Sequence, residues 1–319
     1  MSLLERRRNY KPFEYPEVMD FVGAIQKAYW VHDEIDFTAD IQDFKVNLTP
    51  AKQTIHKRSI LSIAQTEVEV KAFWGDLYKY FPKPEINGLG ATFAESEFRH
   101  SEAYSRILDV NGFAEDFISA LRNPVFDEYN LMVRGVMQDS TKTIIEKLIF
   151  FSLVIEDSSL FSKFANILSF TRFDGLMKNT ANIIAWTSID EQIHAQAGIF
   201  LINTLKKEGL FPSSLSQNWV HDSVQKYMEQ ESNMLDWIFE EGELEHYSKA
   251  QLLQYMKNRL DISLNKIGFD KVFNTSNADV KPFEWFEDEI HADTLDDFFA
   301  KRPVEYTKHD KPITGDDLF

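Results

Sequence analysis

The chain contains no cysteine, which excludes disulfides, thiolate metal ligands, iron–sulfur clusters and cysteine nucleophiles. Any bound metal must therefore be held by nitrogen and oxygen. Glycine and proline are sparse, at 12 and 10 of 319 residues, so little interrupts long periodic segments. The longest apolar runs, such as Leu148 to Ile155, are far too short to span a bilayer. Arg6, Arg7 and Arg8 are followed by no apolar stretch, so the N-terminus does not read as a signal peptide. Positive charge is also in deficit: 34 Lys and Arg stand against 51 Asp and Glu, a formal charge of -17. Such a surface repels phosphate backbones and anionic lipid, which argues against nucleic-acid or membrane binding. A soluble, cytoplasmic protein is the expectation.

Hydrophobic residues make up 44% of the chain, with 27 Phe, enough for a sizeable core. Apolar residues recur at i, i+3, i+4 and i+7 with little period-two alternation, which predicts an all-α protein. Helices are expected over Pro16 to Tyr29, Pro50 to Tyr80 and Pro84 to Val110, with an acidic loop from His32 to Phe44. A short helix near Ala114 to Asn123, a pair around Val125 to Ile155 and Glu156 to Phe170, and helices over Asp174 to Gly209, Ser214 to Glu240 and Ser248 to Ile267 follow. Proline near a start and Asn111-Gly112 at a stop supply the boundaries. No linker divides this span. After about Pro282 acidic clusters replace aliphatic residues, so residues 1–292 are read as one domain and 293–319 as a flexible acidic tail.

The chemistry lies in a motif that occurs twice, Glu97-Phe98-Arg99-His100 and Glu191-Gln192-Ile193-His194. On a helix, residues three apart share a face, so each unit can offer a carboxylate oxygen and an imidazole nitrogen to one metal ion. A further carboxylate on an apolar helical stripe precedes each unit. For the first, Glu67 lies seven after Ile60, three after Ala64 and seven before Trp74, whereas Glu69 belongs to another face. For the second, Glu156 lies three after Leu153 and four before Leu160, and Asp157 fits almost as well; Glu146 is a weaker third candidate at the start of the apolar run. A third copy of the spacing, Glu243-Leu244-Glu245-His246, sits in an acid-rich stretch without an apolar stripe and reads as surface. Four buried carboxylates would balance two divalent cations, and without that balance they would have to hold protons. The paired arrangement matches that of ferritin-like di-iron and di-manganese carboxylate proteins.

Beyond the ligands, the chain resembles the radical-generating small subunit of class I ribonucleotide reductase. The resemblance covers nearly the whole length. It rests on Tyr29-Trp30 before an acidic stretch, Glu67, the block from Glu97 to Tyr104, Glu156 four before Leu160, and Trp186 leading into Asp190 to His194. It implies a ferritin-like helical homodimer with a carboxylate-bridged dinuclear site. Once oxidised, that site supplies a one-electron hole to a large subunit, which reduces ribonucleotides to deoxyribonucleotides. Matched position by position, Glu67, Glu97, His100, Glu156, Glu191 and His194 resemble the six ligands, and the resemblance selects Glu156 over Asp157. Trp30, with Asp190 bonded to His100, resembles the first steps of a radical path. Tyr306 resembles its mobile relay, and the acidic terminus ending at Phe319 the segment that docks on the large subunit. Tyr104 stands where many members store the radical.

Two departures refine that picture. The usual Asp at the first ligand position is Glu67, and Lys71 lies four residues beyond it on the same face. This combination resembles the subgroup in which two Mn ions per chain are activated by superoxide and hold the oxidising equivalent as Mn(III)Mn(IV), without a stored tyrosyl radical. Two Fe or a mixed Mn/Fe pair, with O2 as oxidant, is the alternative. Two other readings use the same ligands: a metal-storage protein, which needs neither Trp30 nor a docking tail, and a di-metal oxidase or oxygenase, which needs an apolar substrate cavity.

Overall fold

The computed structural model describes residues 2–290, and they contain helices and turns but no strand. Residues Tyr306 and Phe319, and with them the whole of 293–319, lie outside the described residues.

Long helices form where caps and apolar periodicity agree. Helix α1 spans Val18–Lys27, α2 Thr38–Gln42 and α3 Pro50–Gly75. The start of α3 has Pro50 in its first turn, where a missing N–H costs nothing, and the Thr49 side chain accepts from Lys52 N. The expected run to Tyr80 is interrupted after Gly75, and α4 is only the turn Leu77–Tyr80. Helix α5, Pro84–Asn111, stops at Gly112, whose φ of 75° is open to glycine without strain.

Helices α6 (Ala114–Ala120) and α7 (Pro124–Gln138) lead to α8 (Ile144–Leu148), which is opened by a capping box between Thr143 and Glu146. Here the sequence-based boundaries shift. One helix ends at Gln138 instead of running to Ile155, and no break separates Ile155 from Glu156. The chain continues from α8 through a wide-wound π-helical segment, Ile149–Ser159, into α9, Leu160–Asp174. Periodicity analysis assumes regular α winding, so it cannot register this change of pitch. Every residue of the wide segment is buried.

Helix α10, Lys178–Lys207, follows. Its first turn is capped from elsewhere in the chain: Asp40 accepts from Asn179 N at 3.2 Å and Thr180 N at 2.6 Å, and Asp43 accepts from Met177 N at 3.1 Å. The stretch expected as an acidic loop is thus partly helical, and its carboxylates satisfy the orphan donors and favourable dipole of α10. Helices α11 (Gln217–Ile238), α12 (Lys249–Lys266) and α13 (Asn277–Val280) complete the described elements. Residues 284–290 are also helical, and Phe283, Phe286 and Ile290 are buried, so the packed body continues past the change of composition near Pro282.

Helices α3 and α5 pack along their lengths, α10 lies against α5, the wide segment and α9, and the four carriers of the duplicated motif surround one core. No helix among the described residues is long and apolar enough to cross a membrane.

Candidate metal centre

Six side chains from four elements converge in the middle of this bundle. Helix α3 supplies Glu67, α5 supplies Glu97 and His100, the wide segment supplies Glu156, and α10 supplies Glu191 and His194. All six are fully buried. They form two interlocking groups, Glu67 with Glu97, His100 and Glu191, and Glu97 with Glu156, Glu191 and His194; within each, the ligand atoms lie within 4.8 Å of one another. Glu97 and Glu191 belong to both groups, which is the layout of carboxylates shared between two ions.

The imidazoles are aimed by their outer nitrogens. His100 Nε2 lies 3.1 Å from Asp190 Oδ2, which leaves Nδ1 facing Glu191 at 3.1 Å, Glu97 at 3.3 Å and Glu67 at 3.7 Å. Ser96 donates its hydroxyl to Phe93 O at 2.9 Å, so its oxygen is free to accept from His194 Nε2, also at 2.9 Å. His194 Nδ1 then faces Glu97 at 2.8 Å and Glu191 at 3.3 Å. Holding a ligating histidine by its second nitrogen is how proteins fix tautomer and ring orientation at metal sites.

The donor set fits a pair of cations. Both oxygens of Glu67 and of Glu191, Glu97 Oε1, Glu156 Oε2 and His194 Nδ1 are buried without a hydrogen-bond partner. So many orphaned acceptors in one place are costly unless cations satisfy them. The protonation equilibria report the same crowding. Burial, reinforced by the charge of Glu97, pushes the Glu67 carboxyl well above the usual carboxylate range. Burial does the same to Glu156. The imidazoles move up as well, against their own desolvation: Asp190 and Glu191 hold His100 well up, and Glu97 and Glu191 push His194 up to about 10. Divalent ions would take the place of those protons.

The remaining candidates fall into place around this core. Asp157, which spacing could not separate from Glu156, points away and bonds Arg259 at 2.6 Å and Ser263 on α12. Glu146 is the capping-box residue of α8, and Glu69 pairs with Arg134 at 3.0 Å. In the third copy of the spacing, Glu243 and Glu245 are exposed and His246 stacks on Phe173 at 3.9 Å.

Trp30 donates its indole N–H to Asp190 Oδ2 at 3.0 Å, and the same oxygen meets His100. An unbroken hydrogen-bonded connection therefore runs from Trp30 to the His100 imidazole. Tyr104 is fully buried, its hydroxyl has no hydrogen-bond partner, and burial with the nearby Glu67 charge holds its phenol well above its usual range. Lys71 is half-buried, with Nζ 3.4 Å from Ser101 Oγ and 5.8 Å from the Phe98 ring centre. Among the described residues it makes no ion pair with Glu67.

Three contributors escaped the sequence reading. Ser96 orients His194; Arg99 lies 5.3 Å over the Trp30 ring and 3.8 Å from Asp190; Trp74 bonds Glu156. Ser96 precedes the motif and Arg99 lies within it, but only the packing shows which way they face.

Residues 7–282 match the family described as "Ribonucleotide reductase, small chain". The probable ribonucleoside-diphosphate reductase small subunit of Invertebrate iridescent virus 3 is 26% identical, over 99% of this chain and 88% of its own length. Ribonucleoside-diphosphate reductase subunit beta of Treponema pallidum is 21% identical, over 97% and 90%. Among solved structures, the ribonucleotide reductase R2 subunit from Clostridium botulinum superposes with a TM-score of 0.81 at 19% identity, covering 91% of this chain and 94% of its own. Dimanganese(II)-NrdF of Streptococcus sanguinis gives 0.74 at 15%, covering 91% and 99%. The ferritin-like bundle, its paired buried ligand groups and the match along most of the sequence lead to one conclusion: this chain belongs to the family of ribonucleotide reductase small chains, the small subunits of ribonucleoside-diphosphate reductase.

Proposed function

We propose that the centre holds two manganese ions, with Glu67 and His100 on one, Glu156 and His194 on the other, and Glu97 and Glu191 shared. When bound, such a pair would supply the oxidising chemistry, a one-electron hole held at the Mn(III)Mn(IV) level and destined for the large subunit. Two iron ions or a mixed pair would use the same residues. The observation that carries the reading is the hydrogen-bonded connection from the Trp30 indole through Asp190 to His100, because a storage protein or an oxidase acting on a small substrate has no use for it. Trp30, coupled to the centre through Asp190 and His100, then carries the hole outward, Tyr306 relays it, and the acidic terminus ending at Phe319 docks on the large subunit. The chain works as a homodimer.

Lys71 is given the task of drawing an anionic oxidant, superoxide, toward the Glu67 side of the centre; its half-buried cation beside Ser101 supports that role. Tyr104 is a structural neighbour in this reading. Low-temperature electron paramagnetic resonance of the manganese-loaded protein after superoxide treatment tests it. A multiline signal from a coupled Mn(III)Mn(IV) pair is expected, whereas a narrow organic-radical signal would return the storage role to Tyr104. Unchanged superoxide-driven activation in Lys71→Ala would remove the role given to Lys71.

A further inference from the structure

Glu156 differs from the other ligands in how it is held. Glu97 and Glu191 each share a regular helical face with a histidine three residues on, so backbone geometry alone sets their relation to a second ligand. Glu156 stands alone on the wide-wound segment, with no ligand at helical spacing, and its direction must come from a contact. That contact is Trp74 of α3. The indole N–H donates to Glu156 Oε1 at 2.5 Å, the same oxygen that lies 3.8 Å from His194 Nδ1. Oε2 has no partner.

Trp74 is itself held tightly. It is fully buried, edge-on to Phe93 at 4.9 Å and to Phe73 at 5.0 Å, with the His194 ring at 5.8 Å. Its backbone is fixed as well: a Cβ at Gly90 would lie 2.7 Å from the Trp74 carbonyl oxygen, so the glycine allows α5 to press against the end of α3. Glu67, in contrast, has both oxygens without a hydrogen bond.

Resting on the two-ion reading above, we propose that Trp74 is the positioning residue for one of the two metal positions: its indole N–H fixes the carboxylate of Glu156 toward His194 and thereby sets the affinity of that position alone. An outer hydrogen bond of this kind orients a ligating carboxylate before the ion arrives.

Calorimetric titration of the full chain with Mn(II) tests the proposal. The wild type takes up two ions. In Trp74→Phe, which keeps the ring and removes the donor, one binding step weakens by about 10–100-fold while the other keeps its affinity. Two wild-type steps, or two steps weakened alike, overturn the proposal, since a merely structural tryptophan would not discriminate. Should that variant not fold, the wild type labelled with 15N in its tryptophan indoles decides. On titration with Zn(II), the Trp74 indole signal, assigned through its correlation to the backbone, is expected to move in one step only. A signal unmoved by both steps, or moved by both, overturns the proposal. A titration that ends at one ion per chain overturns the two-ion reading and this inference together, whereas two ions with an indifferent Trp74 overturns the inference alone.

Discussion

The two halves of the metal centre are built differently. Glu67, Glu97, His100, Glu191 and His194 stand on regular α-helices, and for Glu97 with His100 and Glu191 with His194 a three-residue spacing already places a carboxylate and an imidazole together. Glu156 stands on the wide-wound segment Ile149–Ser159, where spacing conveys little and the contact that meets its carboxylate is the Trp74 indole. The contrast shows that the regular half is specified locally and the Glu156 half by packing. A close approach makes the second half possible: a Cβ on Gly198 of α10 would lie 2.1 Å from Ser152 Oγ and 2.4 Å from Ser152 Cβ. Glycine at that position lets α10 and the wide segment bring His194 and Glu156 within 3.8 Å of each other.

The comparison is broken most completely by Glu97→Ala. That residue belongs to both ligand groups, so its loss should take bound manganese from two ions per chain to none, read by elemental analysis after dialysis. Retention of one tightly held ion would show that the two positions are independent. Gly198→Ala should act on one half only. Pushing the wide segment off α10 is an overpacking event costing about 3 kcal/mol, measured by denaturant midpoint, with loss of a single ion. Gly198→Ala combined with Ser152→Gly should recover both, because the second change removes the atoms that the new methyl meets.

His56 offers a third, smaller contrast within the regular half. It is buried between Phe44 at 5.8 Å and Phe170 at 5.5 Å, and neither ring nitrogen has a partner. With no carboxylate beside it, burial alone brings its imidazole down to about 3, the opposite direction from His100 and His194. The folded pKa is thus below the unfolded value near 6.5, so its contribution to stability is complete above pH 6.5 and is lost as the pH falls toward 3. Between pH 7 and pH 5 that loss is about 2 kcal/mol, and a His56→Phe variant should lack it when stability is followed against pH. An unchanged pH slope would mean that the imidazole finds a partner in solution.

The smallest effect is expected for Glu146→Ala. Removing one arm of the capping box at the entry to the wide segment should cost about 0.5–1 kcal/mol and leave two ions bound. Loss of an ion would restore Glu146 as a ligand.

Much was legible in the sequence because it was local. The all-α class follows from apolar periodicity with few breakers, and both Glu-x-x-His units follow from helical geometry. The surface nature of Glu243 to His246 follows from the absence of an apolar stripe. Glu67, and not Glu69, turns into the buried group as periodicity expects, since a regular helix assigns each residue a face. Periodicity failed where the helix was not regular. Glu156 and Asp157 looked equivalent because both fit a stripe at α pitch, and in the wide segment one turns toward His194 while its neighbour bonds Arg259 and Ser263. The boundary placed at Ile155 failed for the same reason.

By itself, then, the sequence determined that this is a helical protein without thiols, with two helices each bearing a carboxylate and an imidazole on one face, because those properties depend on composition and on residues within one turn of each other. Only the tertiary structure decided that Asp157 turns to Arg259 and Ser263, that Ser96 meets His194 and Trp74 meets Glu156, and that Asp40 and Asp43 cap α10. Those contacts join residues far apart in the chain, and their geometry is set by how closely two helices can approach, which no local spacing encodes.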